Sequence, residues 1–304
     1  MLAVQITKFG GLECIVVQES DVPVPGPGEI LVKVSAAGVN PVDWKIREGH
    51  MKDMLAFAFP TTLGSELAGT VVALGEGVTD LAPGDRVHGS TGALGAFAEF
   101  AVIARNAIAK IPDKLDFSEA AALPVGVLTA TAAFKAGAVG RDTRLLIHAA
   151  SGGVGTVAIQ LAHALGAEVT ALGSASNLDL LRSLGAHHAV DRTTSYETQI
   201  GDFDVVLDAF GPEAQARSWG LMRPGGILVS LVAPPDQGQA QAHGVRATMS
   251  FGVPESAALE NADRLVEQGL LRPILHRTFP IAKAAEAIAE VEAGHVRGKN
   301  ILLL

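Results

Sequence analysis

The run RLLIHAASGGVGTVAIQLAHALGAEVTAL, residues 144–172, decides the fold. Its opening, RLLIHAA (144–150), is continuously apolar over strand length, as a strand buried on both faces is. Ser151-Gly152-Gly153-Val154-Gly155 follows at once. VGTVAIQLAHAL (154–165) then sets Val157, Leu161 and Leu165 four apart, the spacing of one helix face, and Gly166 supplies the stop. EVTAL (168–172) is a second strand. In a strand, glycine loop and helix of this kind, free amides and the positive end of the helix dipole hold a diphosphate. We therefore read Ser151, Gly152, Gly153, Val154 and Gly155 as a dinucleotide-binding loop. A ligand-free glycine turn is the alternative, and the alternating units around the loop weigh against it.

Toward the C-terminus the alternation continues. A short helix is expected at 177–184, stopped by Gly185, and a third strand at 187–191. FDVVLD (203–208) reads as a fourth strand, 213–222 as a helix, ILVSLV (227–232) as a fifth strand and VRATMSF (245–251) as a sixth. This pitch predicts a doubly wound parallel sheet with right-handed crossovers. Val245, Ala247, Met249 and Phe251 on one face of an edge strand leave main-chain groups unpaired, which the same strand of a second subunit would cover. A homodimer is expected.

Toward the N-terminus the style differs. VPVPGPGE (22–29) carries three prolines and two glycines before the strand ILVKVSA (30–36). GTVVAL (69–74) is another strand, and Pro83-Gly84-Asp85 turns into Arg86-Val87-His88. Closely spaced strands with such turns indicate a small barrel or sandwich. MLAVQITKFGG alternates like a strand rather than a targeting segment. Helices at 255–268 and 281–293 and the strand NILLL close the chain. These shifts place a cofactor domain at 122–252, with residues 1–121 and 253–304 forming the other domain.

Composition bounds the function. With 23 Lys+Arg against 32 Asp+Glu the net charge is −9, and aromatics are 5%, which disfavours nucleic acid and anionic membrane surfaces as partners. The single cysteine, Cys14, excludes an intramolecular disulfide. The apolar run Ala120–Phe134 reads as too short and too broken to span a bilayer, so a soluble cytoplasmic protein is expected.

An NAD site usually carries Asp or Glu at the end of the second strand to grip the ribose. Here the segment is Leu172-Gly173-Ser174-Ala175-Ser176-Asn177, without a carboxylate. A carboxylate about 4 Å from a 2′-phosphate would cost on the order of 4 kcal/mol per charge pair at an effective dielectric near 20. Ser174, Ser176 and Asn177 offer donors and Arg192 offers charge, which favours NADPH. Phe210, just past the fourth strand, joins this set of cofactor-binding candidates.

AASGGVG (149–155), GVNPVDWKIREG (38–49), LGSELAGTVVALGEGV (63–78), PGDRV (83–87) and RPGGILVS (223–230) together resemble the medium-chain dehydrogenase/reductase superfamily, and within it the zinc-free quinone oxidoreductase branch. The resemblance implies an α/β chain in which a chaperonin-10-like, mostly-β barrel domain joins a Rossmann domain, with the cofactor in the cleft between them. Zinc-using members carry Cys where Asn40 stands and His where Ser65 stands, and neither replacement is a zinc ligand of the required kind. No metal is expected. Without a Lewis acid, alcohol oxidation is disfavoured and hydride delivery to a small apolar quinone, enone or enal is favoured. Carried over residue by residue, Asn40 lies near the nicotinamide and the catalytic pocket, Thr129 contacts the nicotinamide end, and Lys299 lies next to the cofactor. Departures are Asn177 for a frequent Lys, Arg192 for a frequent Tyr, and Lys45 for a tyrosine common in the catalytic loop. Asn40, Asp43 and Lys45 are the catalytic candidates. Asp43 would orient the loop through backbone amides, Glu66 would hold backbone or an ion pair, and Asn40 or Lys45 would donate to a developing oxyanion. His88 reads as a cleft or core residue, and His148 as a satisfied core histidine. The rival readings are an enoyl-thioester reductase of the same fold and a non-catalytic NADPH-binding redox sensor.

Overall fold

The turn chemistry of residues 22–29 delivers the chain into its longest strand, Glu29–Val39. In the computed structural model, which describes residues 1–304, this strand is the spine of a seven-stranded sheet. Spatial order runs Leu275–Pro280, Lys299–Leu303, Glu29–Val39, Glu66–Leu74, Arg86–Ser90 and Ile108–Lys110, with Phe100–Ala104 also paired to the spine. A second sheet sets Leu2–Ile6 between Ile15–Glu19 and Thr61–Thr62. Their apolar faces share one core that includes Ile6, Ile30, Leu67, Phe97 and Ile288. Gly69 has a steric reason: a Cβ there would stand 2.2 Å from the Lys33 carbonyl, where the pairing of the two long strands slips.

The chain divides into unit one, Met1–Val125 with Pro254–Gln268 and Pro273–Leu304, and unit two, Gly126–Val253 with Gly269–Arg272. The sequence placed these boundaries at 121/122 and 252/253.

Unit two is a six-stranded, wholly parallel sheet. Its order is His188–Asp191, Glu168–Gly173, Arg144–Ile147, Phe203–Asp208, Met222–Ser230 and Arg246–Met249. Winding proceeds outward one way from Arg144–Ile147 and then outward the other way from Phe203–Asp208. The switch point therefore lies between these two strands, where open α/β sheets bind ligands. The helix Gly153–Ala164 ends at Gly166, whose φ of +81° is the left-handed cap glycine supplies without strain.

Several expectations need correction. The helix expected at 213–222 is Pro212–Ser218 and gives way to a 3₁₀ turn, Trp219–Leu221, because the fifth strand already starts at Met222. A short helix, Gln237–Ala242, was not expected. Asp236 starts it by accepting the Gly238 and Gln239 amides. The helix Pro41–Arg47 was also missed, although Asn40-Pro41 is an N-terminal signal. Finally, Phe117–Gly137 forms a helical stretch of 21 residues that is long and apolar enough to cross a membrane. Of its most apolar window, 61% is buried inside the protein, as in a core helix.

Candidate functional site

In unit one the polar groups gather around Asn40, which ends the spine strand and caps the next helix in an extended conformation, φ −126° and ψ 156°. Pro41 occupies the first helical position, where its missing N–H is not needed. Asp43 reaches back to accept the Asn40 amide at 2.7 Å, so it orients the loop as its position suggested. The Asp43 amide bonds the Asn40 carbonyl at 3.0 Å, which leaves the Asn40 carboxamide free to turn away from the helix. Its Nδ2 donates to Glu66 Oε1 at 2.8 Å, to Ser65 Oγ at 3.2 Å and to the Gly38 carbonyl at 3.3 Å. Its Oδ1 accepts from Lys299 Nζ. An ammonium only donates, so this bond fixes which way the amide faces.

Glu66 makes both of the interactions foreseen for it. Oε1 pairs with Lys299 Nζ at 2.5 Å, and Oε2 accepts the Val125 amide at 2.7 Å. Asn40, Asp43, Ser65, Glu66 and Lys299 are all buried. Removing one partner of such a pair leaves the other charge stranded, which typically destabilises by about 3–5 kcal/mol. Gly38 belongs to the arrangement too, since a Cβ there would lie 2.3 Å from Glu66 Oε1. Burial pushes the Asp43 carboxyl up to about 7 from 3.8, and Glu66 adds to the push. The Asn40 and Gly64 amides and the Lys299 charge pull the other way. Asp43 Oδ1 is buried without a hydrogen-bond partner.

Both hydrogens of the Asn40 amide are thus committed within the cluster, whereas Lys299 has used two of its three. Lys45 is half-buried outside the cluster, its ammonium 5.7 Å from the Trp44 ring centre. His88 is a core residue, bonded to the Ala120 carbonyl and to Asp263.

In unit two the loop Ser151–Gly155 stands at the carboxyl end of Arg144–Ile147. Ala149 takes a φ of +50°, and the Gly152 amide bonds back to the Ala149 carbonyl at 3.0 Å. Gly152 caps the helix with no side chain involved. The amides of Gly153, Val154 and Gly155 therefore have no partner in the helix, as at any helix start. Gly155 is buried because the helix presses on the strand end: a Cβ would meet the Ala149 carbonyl at 2.5 Å and Ala150 Cα at 2.6 Å. That close packing is the role of the third glycine in such loops.

At the end of the second strand, Ser174 Oγ lies 3.2 Å from Ser176 Oγ and accepts from Asn177 at 3.0 Å. The Arg192 amide bonds the Gly173 carbonyl, and the Arg192 guanidinium lies 5.4 Å from the Phe210 ring centre. Ser174 with Asn177 and Arg192 thus follow two neighbouring strands, and Phe210 follows the strand on the far side of Arg144–Ile147. Sequence reasoning missed what sets Phe210. The fully buried Asp208 accepts the Phe210 and Gly211 amides at 2.9 and 2.8 Å, and also bonds Gln215 and Ser230. Thr129 lies in the helix Pro124–Gly137, and a Cβ at Gly252 would approach its amide to 2.9 Å. His148 is the satisfied core histidine expected, bonded to Ser218 Oγ at 2.8 Å, and burial holds its ring down at about 4.

Residues 26–113 match the alcohol dehydrogenase GroES-like domain, and residues 184–302 match the family described as zinc-binding dehydrogenase. The chain is 33% identical to the quinone oxidoreductase of Sus scrofa, over 100% of this chain and 98% of that one. It is 33% identical to the mitochondrial NAD(P)H oxidoreductase RTN4IP1 of Danio rerio, over 91% of this chain and 84% of that one. The structure of the quinone oxidoreductase from Coxiella burnetii superposes with a TM-score of 0.90 at 29% identity, covering 100% of this chain and 99% of that one. One of these descriptions names zinc, and the donor set here does not fit it. Asn40 and Ser65 present an amide and a hydroxyl, and an ammonium sits among them. No three His, Cys, Asp or Glu side chains are grouped to hold an ion.

Proposed function

The chain belongs to the quinone oxidoreductase branch of the medium-chain dehydrogenase/reductase superfamily, and from that premise we propose that it transfers a hydride from NADPH to a quinone or activated alkene without zinc. It is an oxidoreductase that works with a nicotinamide cofactor. NADPH, the conjugated acceptor and zinc independence are the finer reading. The observation that carries the dinucleotide reading is the loop at the switch point of unit two, with three unclaimed amides at Gly153, Val154 and Gly155.

When bound, the cofactor supplies the hydride. The chain's own residues do the rest. The three loop amides hold the diphosphate. Ser174 and Asn177 donate to a 2′-phosphate, and Arg192, steadied on Phe210, supplies its countercharge. Lys45 and the third N–H of Lys299 are the donors left for oxygen that gains charge as the acceptor is reduced. Asn40 acts by holding Lys299 in place. A conjugated acceptor suits a site whose donors free for it are lysine ammonium groups, since it needs no metal to be polarised.

The edge strand Arg246–Met249 supports a homodimer, since it ends the sheet and is followed by Phe251 and Val253, exposed at 56% and 69%. The acidic balance supports a protein that binds neither nucleic acid nor an anionic membrane surface; a cytoplasmic location is part of the same proposal.

Turnover of simple quinones and enones by chelator-treated protein tests the reading, followed by loss of reduced-nicotinamide absorbance. Turnover with NADPH is expected. Tight NADPH binding with no turnover of any acceptor would instead favour a sensor, and turnover confined to enoyl thioesters would favour a thioester reductase.

A further inference from the structure

In unit two the chain must return from the edge strand His188–Asp191 to the central strand Phe203–Asp208. Residues 192–202 make that return, and the 3₁₀ turn Tyr196–Thr198 is their only helical element. Arg192, the charge read as meeting a 2′-phosphate, is the first residue of this crossing. Its amide bonds the Gly173 carbonyl at 2.9 Å, next to Ser174. Asp191 closes the turn that follows. Its Oδ1 accepts the Thr193 amide at 3.0 Å and the Thr193 hydroxyl at 2.9 Å, and its carbonyl accepts the Thr194 hydroxyl at 2.8 Å.

The carbonyl side of the turn is held by Arg217, in the last turn of the helix Pro212–Ser218. Its Nη1 donates to the Arg192 carbonyl at 3.0 Å and its Nη2 to the Thr194 carbonyl at 2.8 Å. Its Nε donates to Glu197, and its guanidinium carbon lies 4.0 Å from the ring centre of the buried Tyr196. One planar group thus grips three points of the crossing and lies over a fourth. A lysine, a compact charge on a flexible stem, does not reproduce that geometry. With its amide and its carbonyl both bonded, Arg192 keeps only its side-chain torsions free. Arg217 itself has three of its five N–H groups committed, and Glu197 offsets its charge.

We propose that Arg217 is a positioning residue for cofactor choice: by clamping the Arg192 and Thr194 carbonyls it fixes the backbone from which the Arg192 guanidinium meets a 2′-phosphate, and so sets a preference for NADPH over NADH. The proposal rests on the reading of Arg192 given above, and its test separates the two.

The test compares wild type, Arg217→Lys, Arg192→Gln and the double variant. In cofactor-free protein, hydrogen exchange read by mass spectrometry over residues 192–200 reports the clamp. Arg217→Lys is expected to speed exchange there and to leave the helix Gly153–Ala164 unchanged. Fluorescence titration then reports the choice of cofactor. Arg217→Lys, which keeps the charge, is expected to weaken NADPH binding about fivefold to tenfold, to leave NADH within about twofold, and to cost NADPH no further affinity once Arg192→Gln is present. Unchanged exchange over 192–200, or equal losses for both cofactors, would overturn the positioning role. Losses that add in the double variant would overturn it too, since Arg217 would then act on the phosphate independently of Arg192. If Arg192→Gln itself leaves the ratio of NADPH to NADH affinity unchanged, the reading of Arg192 fails and the proposal falls with it, even where exchange shows the clamp. If Arg217→Lys does not fold, Glu197→Gln, which loosens the same clamp from its half-buried side, is expected to lower the preference for NADPH, and an unchanged preference would overturn the proposal.

Discussion

Asp43 and His148 are buried titratable groups shifted in opposite directions, and their effects on stability oppose each other. Asp43 is raised from 3.8 to about 7. Between those values the unfolded chain has released a proton that the folded chain keeps, so stability from this group falls as pH rises from about 4 to about 7. Asp43→Asn mimics the neutral acid and keeps an oxygen for the Asn40 amide. We expect it to gain stability over wild type across that window, by no more than about 4 kcal/mol at about 1.4 kcal/mol per pKa unit. His148 is lowered from 6.5 to about 4. The unfolded chain takes up a proton first, so this contribution is lost as pH falls from about 6.5 to about 4, by at most about 3 kcal/mol. Urea denaturation of wild type, Asp43→Asn and His148→Gln over pH separates the two, and parallel curves would refute both. Arg192 is the charge read as meeting the 2′-phosphate. Arg192→Gln is expected to weaken NADPH binding about tenfold or more while leaving NADH little changed, by fluorescence titration. Equal losses for both cofactors would remove Arg192 from that role.

At the level of elements, glycines set how closely backbones approach. Gly155 lets the helix Gly153–Ala164 press on its strand, and Gly38 leaves room for the Glu66 carboxylate. Gly155→Val should push the helix off the strand end, destabilise by about 1–3 kcal/mol as overpacking does, and abolish NADPH binding. Calorimetric melting and cofactor titration check it, and unchanged cofactor affinity would contradict the loop assignment. Gly38→Ala should lower stability by a similar amount while sparing NADPH affinity. These elements differ in how far the sequence reveals them. The loop and the strands around it are legible because hydrophobic period and glycine spacing are local. Asn40 and Asp43 are legible as a pair because they stand three positions apart. The Lys299–Asn40 bond joins positions 259 apart and follows from sheet order alone. The same holds for Asp208, whose partners reach to Ser230. Gln237–Ala242 escaped notice because QGQAQA has almost no apolar face, and only Asp236 marks its start.

For the whole molecule, the fold class follows from strand and helix alternating through residues 144–249. The homodimer proposed above rests on one edge strand, Arg246–Met249, which ends the sheet. A homodimer joined through Arg246–Met249 predicts a sedimentation mass of twice 31.3 kDa at micromolar concentration. Thr248→Pro should shift it toward monomer, because proline removes a ladder donor. A wild-type monomer at all concentrations would end that reading. The central claim is that this chain binds a reduced nicotinamide dinucleotide at the Gly153–Gly155 amides and spends its hydride without metal. The most direct test mixes chelator-treated, NADPH-loaded protein with a simple benzoquinone in a stopped-flow cell. The account predicts loss of the bound cofactor's absorbance far faster than without protein, with the fast phase absent in Gly155→Val. An absorbance that decays no faster than in protein-free solution would contradict it.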